Sequence, residues 1–187
     1  LRQMATMLIM LPMWMNFLLR TYSWVFLLER NGFFNTLLKT IGLPKLDIID
    51  TQAAVVLGMV YNFLPFMVLP IFSVIEKMDH RLIEAAQDLG ANSAEVFRRV
   101  IFPLSLPGVL SGVTMVFIPS VSTFVISRLL GGGKSLLLGD LIEMQFIGSA
   151  YNPHLGSAIS LVMMVIVLVS MGIMNRFGEG EGEAVVL

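Results

Sequence analysis

The sequence predicts an all-α, polytopic bundle of membrane-spanning helices. Three observations carry that expectation. Hydrophobic residues make up 56% of the 187 and charged residues only 13%, about half the charged share of soluble domains. Mean hydropathy is +0.84, which excludes a disordered chain and argues against the charged surface of a soluble enzyme. Four segments also approach the roughly 20 mostly apolar residues that a helix needs to cross the hydrocarbon core.

The first expected span, 4–28, contains Pro12 and one charge, Arg20. An arginine in a span is costly unless it is paired or faces water. The second, 53–75, holds Pro65 and Pro70; the third, 107–130, holds Pro119, with Arg128 near its end; the fourth, 157–174, carries no charge. Proline is tolerated in a membrane helix where neighbouring helices or water satisfy the freed carbonyls. Three such spans fit bent helices around a path, and equally fit simple kinks for packing. Between the first two spans, Asn31-Gly32 and the apolar stretch 33–41 predict a short surface helix. Segment 131–156 opens with Gly131-Gly132-Gly133-Lys134-Ser135. A phosphate loop requires glycine where Arg128 stands, and a preceding strand, so the run reads as a helix end. The alternating Gly and Glu of 178–183 predict a disordered tail over 178–187. Residues 1–177 then form one transmembrane domain.

Several chemistries are excluded. A net charge of −1 gives no basic footprint for nucleic acid. There are no cysteines, hence no disulfide framework and no thiolate metal site. The two histidines, His80 and His154, are far apart and define no metal cluster. No His, Asp or Glu lies within a span core, so acid–base catalysis has no candidate residue.

The loop 76–106 is the informative part. Ten of the chain's 27 Lys, Arg, Asp, Glu and His side chains fall within 76–103. Leu82, Ala85, Ala86 and Leu89 recur at helical spacing. Gly90 is placed to end that helix with a left-handed cap. Asn92 followed by Glu95 reads as the start of a second helix, with Val96, Phe97, Val100 and Ile101 as its apolar stripe and Pro103 as its stop or kink. Glu84 and Asp88 share one helical face and repel mildly; Arg81 stands one turn away. This describes an ordinary amphipathic surface helix, and equally an acidic helix offered to a basic groove on a partner. If the loop is cytoplasmic, Arg2, Lys77, Arg81, Arg98, Arg99 and Arg176 lie inside against Arg30, Lys39, Lys45 and Lys134 outside. That is the sign of the positive-inside rule, by a small margin.

The same loop resembles the signature of permease subunits of bacterial ABC importers: Glu-Ala-Ala, three residues, Gly, nine residues, Ile, one residue, Leu-Pro. Here Glu84-Ala85-Ala86, Gly90 and Pro103 match, while Val100 and Phe102 replace the isoleucine and leucine. Both departures exchange one apolar residue for another. The resemblance implies a helical bundle of the type I importer kind, in the bacterial inner membrane with loop and C-terminus cytoplasmic. Such permeases usually have six spans. With four counted, and the chain starting at Leu1 in an apolar run, two further spans are expected upstream. The family implies that Glu84, Ala85, Ala86, Asp88 and Gly90 form a coupling helix docked on a separate ATPase. The implied partners are two such ATPases, which bind ATP and Mg, a second permease, an extracytoplasmic solute-binding protein and membrane lipid. No cofactor is expected in this chain.

Leu64-Pro65-Phe66-Met67 with Pro70, then Glu76-Lys77-Met78-Asp79, the glycine run at 131–133 and Gln145-Phe146 are similar to spermidine/putrescine permeases of the first-subunit type. That likeness implies a polyamine cargo. The alternatives are the same machine with another small solute (an amino acid, a phosphonate, another organic ion), or a membrane scaffold or channel with no ATPase. A polyamine is a flexible cation, to be met by carboxylates, carbonyls or aromatic faces. Candidates for its path are Asp140 and Glu143, which share a face if helical, and Trp14, Tyr22, Trp24 and Tyr61. Solvated loop acids and interfacial anchoring are the plainer readings of these residues.

Overall fold

A computed structural model describes residues 2–148 and 150–182, all helix and connecting turn. Helix α1 (Arg2–Met10) runs into a tight 3-10 turn (Leu11–Trp14), and α2 (Phe17–Leu28) follows. Next come α3 (Phe33–Thr40), the long α4 (Gln52–Lys77) and α5 (His80–Asp88). Helix α6 (Ser93–Val96) passes through a π-helical stretch (Phe97–Ile101) into α7 (Phe102–Ser122). The chain finishes with α8 (Val125–Leu130), α9 (Leu138–Phe146) and α10 (Pro153–Gly182).

The expectation of four spans is corrected. Among the described residues, three helices are long and apolar enough to cross a membrane: Gln52–Lys77, Ser93–Ser122 and Pro153–Met174. Segment 4–28 is the one that fails. Pro12 sits in the 3-10 turn, and Met15 and Asn16 take extended backbone (ψ 146° and 133°). The two helical pieces, 9 and 12 residues, reach only about 14 and 18 Å at 1.5 Å per residue, against a hydrocarbon core of about 30 Å. With that crossing lost, the side on which Arg2 lies no longer follows from alternation.

The third span starts earlier and stops sooner than expected. Pro103 does not end it. The Phe102 N–H donates to the Phe97 carbonyl, five residues back, and this widened turn accommodates the proline's missing N–H and its ring. The helix stops at Ser122 instead, where Gly139 of α9 lies so close to the Ser122 and Thr123 carbonyls that no Cβ would fit. Helix α10 runs to Gly182, into the stretch expected as tail; residues 183–187 of that stretch lie outside the described residues.

The chain divides into two compact units, and α4, α7 and α10 each contribute to both. The first contains residues up to Pro65 with Pro119–Met164. Its core includes buried Ala54, Val55 and Phe63 of α4 and Ile126 and Leu130 of α8, the last two lying against Gly58 of α4. A Cβ at Gly58 would overlap the Leu130 side chain. Thr21 and Asn62 are also fully buried there; the Asn62 amide donates to the Gly58 carbonyl at 2.8 Å and reaches the Thr21 hydroxyl at 3.5 Å.

The second unit contains Phe66–Ile118 and the chain from Val165. Here Gly108 and Gly112, one turn apart on α7, let its backbone approach α4. A Cβ on Gly108 would stand 3.0 Å from the Ile71 Cα and the Pro70 carbonyl, and one on Gly112 would meet Met67. Small residues at this spacing bring helices together in lipid, where apolar burial provides no drive between them. By contrast, α10 buries none of its apolar window within the chain. Its Leu161, Ile166 and Leu168 are exposed, as suits a helix covered by lipid or by other subunits.

Replacing Gly108 by Leu should overpack this contact and destabilise the protein by about 1–3 kcal/mol, read as a lowered thermal midpoint in detergent. The same change at exposed Ser111, three residues on, should leave the midpoint within error.

Candidate functional site

The loop signature folds as a corner closed by its own hydrogen bonds. Asp79 caps α5, its carboxylate accepting from the Arg81 N–H at 2.9 Å. At the other end the Gly90 N–H donates to the Gln87 carbonyl at 2.8 Å and the Ala91 N–H to the Ala86 carbonyl at 3.0 Å. Gly90 has φ +85°. This is the Schellman closure expected of a glycine at that position. Helix α6 starts two residues later with a full capping box: Asn92 Oδ1 accepts from the Glu95 N–H at 2.9 Å, and the Asn92 N–H donates to Glu95 Oε2 at 3.0 Å. Every polar backbone group at the turn named here has a partner, so the corner holds its shape without help from the lipid.

Of the predicted residues, Glu84, Ala85, Asp88 and Gly90 are exposed and Ala86 is half-buried. Among the described residues Glu84 and Asp88 form no ion pair, and the Arg81–Glu84 pair weighed from the sequence is not made. Leu89 stands 89% exposed, an apolar side chain set among charges. Beside it a cavity of about 410 Å³ is lined by Ala86, Leu89, Gly90, Glu95, Arg99 and Val100. An exposed acid pair, a bare leucine and an adjoining hollow lie together at this corner.

The candidate path residues fall in the first unit, in two groups. Trp24 of α2 and Tyr61 of α4 meet edge to face, ring centroids 5.1 Å apart. They line a groove of about 690 Å³ with Gln52, Val56, Val60 and Leu64. Trp14, 91% exposed, and exposed Tyr22 make no ring contact with that pair among the described residues. Asp140 and Glu143 do share a face of α9, and that face is turned to α8. Asp140 is buried and accepts from the Ser127 hydroxyl at 2.6 Å and the Leu137 N–H at 2.8 Å. Glu143 is ion-paired with Arg128. Both acids therefore clip α9 to α8, whatever else they do.

Sequence reasoning did not pick out Thr21, Asn62 and Ser127, three of the buried polar residues of this unit. An asparagine amid the apolar run 53–75 was the available signal, because a buried amide in lipid must find partners. Arg20 is buried and donates from Nη1 to the Pro12 carbonyl at 2.8 Å, a structural contact across the break in the expected first span. No group of acids and histidines that could hold a metal ion occurs among the described residues.

Comparisons with known proteins agree with the signature. The family model for the binding-protein-dependent transport system inner membrane component matches residues 1–179. The chain is 43% identical over 167 residues to the spermidine/putrescine transport system permease protein PotB of Haemophilus influenzae, covering 88% of this chain and 58% of the relative. It is 39% identical over 175 residues to PotB of Escherichia coli, covering 92% and 62%. The chain thus spans about three fifths of the length of these relatives. A crystal structure of a bacterial ABC transporter involved in the import of the acidic polysaccharide alginate shares its fold, with TM-score 0.73 at 15% identity over 96% of this chain and 66% of that one. The chain belongs to the family of binding-protein-dependent transport system inner membrane components, and is a multi-pass protein of the inner membrane.

Two substitutions test the geometry. Asp140→Ala leaves the Leu137 N–H unpaired and unties Ser127 of α8 from α9, and should cost about 1–3 kcal/mol of stability, whereas Glu143→Gln, which loses only a pair with an exposed arginine, should cost less than about 1 kcal/mol; thermal unfolding separates them. At Gly90 a Cβ meets nothing, so Gly90→Ala should cost only the left-handed backbone penalty of roughly 1–2 kcal/mol, seen as faster hydrogen exchange confined to the corner.

Proposed function

We propose that this chain is the permease subunit of an ABC importer for spermidine or putrescine, with the corner between α5 and α6 as its coupling element. The single observation that carries the coupling role is that corner: both helix ends are closed by hydrogen bonds, while Glu84, Asp88 and Leu89 are left outward and unpaired. A lever must be stiff along its length and adhesive at its tip. The polyamine cargo is supported by the relatives at 43% and 39% identity, whose names state it.

On this reading two ATPase subunits bind ATP and Mg and seat α5. Their closure pushes the corner, and the π-helical stretch at Phe97–Ile101 joins it without interruption to the crossing helix that ends at Ser122. A second permease completes the path, and a solute-binding protein delivers cargo on the opposite face. The Trp24–Tyr61 groove offers the cation aromatic faces, each worth about 0.5–1 kcal/mol at an exposed site, with the Gln52 amide as the polar contact.

The test is ATP hydrolysis by the full complex in vesicles, with its binding protein, with and without spermidine. Spermidine should stimulate hydrolysis. Glu84→Lys, and Gly90→Pro, which removes the N–H bonded to Gln87 and forces φ negative, should abolish stimulation while leaving the protein in the membrane. Tyr61→Ala should weaken spermidine transport several-fold with basal hydrolysis kept. Hydrolysis that depends on Glu84 but ignores polyamines would retain the importer and overturn the cargo; wild-type transport by both corner variants would overturn the coupling role.

A further inference from the structure

Helix α3 takes no part in either constellation, and its design is specific. At 100° per residue, Phe33, Phe34, Leu37 and Ile41 fall within about 100° of arc. They form an outward ridge, with Phe33 63%, Leu37 48% and Ile41 64% exposed. Leu43 and Leu46 extend it into the following turn. The ridge does not face outward through slack. Asn35 on the inner side is buried, and its amide donates to the Glu29 carbonyl at 3.1 Å and the Leu46 carbonyl at 2.9 Å, while its Oδ1 accepts from the Leu46 N–H at 2.7 Å. One side chain thus ties the chain before α3 to the chain after it and fixes the roll of the helix.

Segment 29–50 balances three basic against three acidic residues, with exposed Glu29 and Asp50 at its two ends and the lysines between them. Arg30 is paired with Asp47 at 3.0 Å, but Lys39 and Lys45 are exposed and form no ion pair among the described residues. The position is also constrained: the eleven-residue connection 41–51 is tied back to Asn35 at Leu46, which leaves five residues before Gln52, the first residue of a membrane-crossing helix, so α3 stands near a membrane face. A fixed apolar ridge on one side of the helix, with Lys39 on the opposite side and Lys45 in the following turn, at the end of a span, matches the boundary between acyl chains and headgroups.

We infer that α3 lies in the membrane–water boundary at the Gln52 end of α4, its ridge in the acyl region and Lys39 and Lys45 on anionic headgroup phosphates, and so sets the depth of α4. The occupant of the ridge is lipid. This rests on the chain being a membrane protein and is independent of the cargo.

The sequence contains no cysteine, so bimane can be placed at Leu37→Cys on the ridge and at Thr36→Cys, about 100° around the helix. The full complex is reconstituted in vesicles of phosphatidylethanolamine and phosphatidylglycerol, with unsubstituted complex as the labelling baseline. The expected result is several-fold stronger quenching of position 37 than of 36 by nitroxide-labelled lipid, and the reverse with aqueous iodide. Lys39→Glu with Lys45→Glu should reduce the lipid quenching at 37. Position 37 as open to iodide as 36 would overturn the proposal, and so would protection from both quenchers, which would mean that a protein covers the ridge. Quenching unchanged by charge reversal would overturn the headgroup contact.

Discussion

Lipid satisfies no backbone hydrogen bond, and most of the irregular features of this chain answer to that constraint. Each place where helix is interrupted near the membrane carries its own repair. At the break after α1, the Arg20 guanidinium takes the Pro12 carbonyl and Asn16 accepts the Leu18 N–H. Before Pro103 the helix widens by one residue rather than stopping. After Ser122, the Ser127 hydroxyl contacts the Phe124 carbonyl at 2.8 Å as well as Asp140, so one serine joins the break, α8 and α9. The polar residues of the first unit are therefore better understood as the means by which an interrupted backbone persists in an apolar solvent than as a lining for solute.

The corner at 79–103 follows the opposite logic, because it faces water. There the backbone could be satisfied by solvent, yet the chain satisfies it internally through Asp79, the Schellman closure at Gly90 and the Asn92–Glu95 box. Solvent-satisfied ends fray, whereas internally satisfied ends transmit displacement. On the proposed reading this is the physical requirement for coupling: force applied at α5 must arrive at α7 and not be absorbed at the turn. The π-helical stretch is consistent with it, since a proline that broke the helix would have placed a hinge between lever and span.

Much of this was legible in the sequence because it depends on local chemistry. The glycine cap and the capping box are set by side chains and backbone within five residues of the groups they satisfy. The second and fourth spans were legible because composition alone decides them. The first expected span was misread because hydropathy sums over residues and is blind to direction. Residues 4–28 are apolar enough to cross, but Pro12 and the extended Met15–Asn16 link turn the backbone, and no average registers a turn. The end of the third span was misplaced for a related reason: Ser122 is where α9 arrives, and Gly139 is 17 residues away in sequence. Asp140 and Glu143 were rightly placed on one face, but which neighbour that face meets is a tertiary fact. Their engagement by Ser127 and Arg128 could not be read from spacing.

That engagement bears on how a cation would be handled. Both acids first considered for the path are already occupied in holding α9 to α8. What stays open on the first unit is aromatic and amide surface, at Trp24, Tyr61 and Gln52. Free carboxylates in an apolar groove would hold a multiply charged amine tightly, and a conduit that binds tightly does not release. Edge-to-face aromatics attract a cation at many positions with little energy at each, so the solute can advance in small steps. Such a surface discriminates poorly. A polyamine permease built in this way would leave selection to the solute-binding protein that loads it, and would have its own residues free to meet the more stringent demand of keeping broken helices intact in lipid.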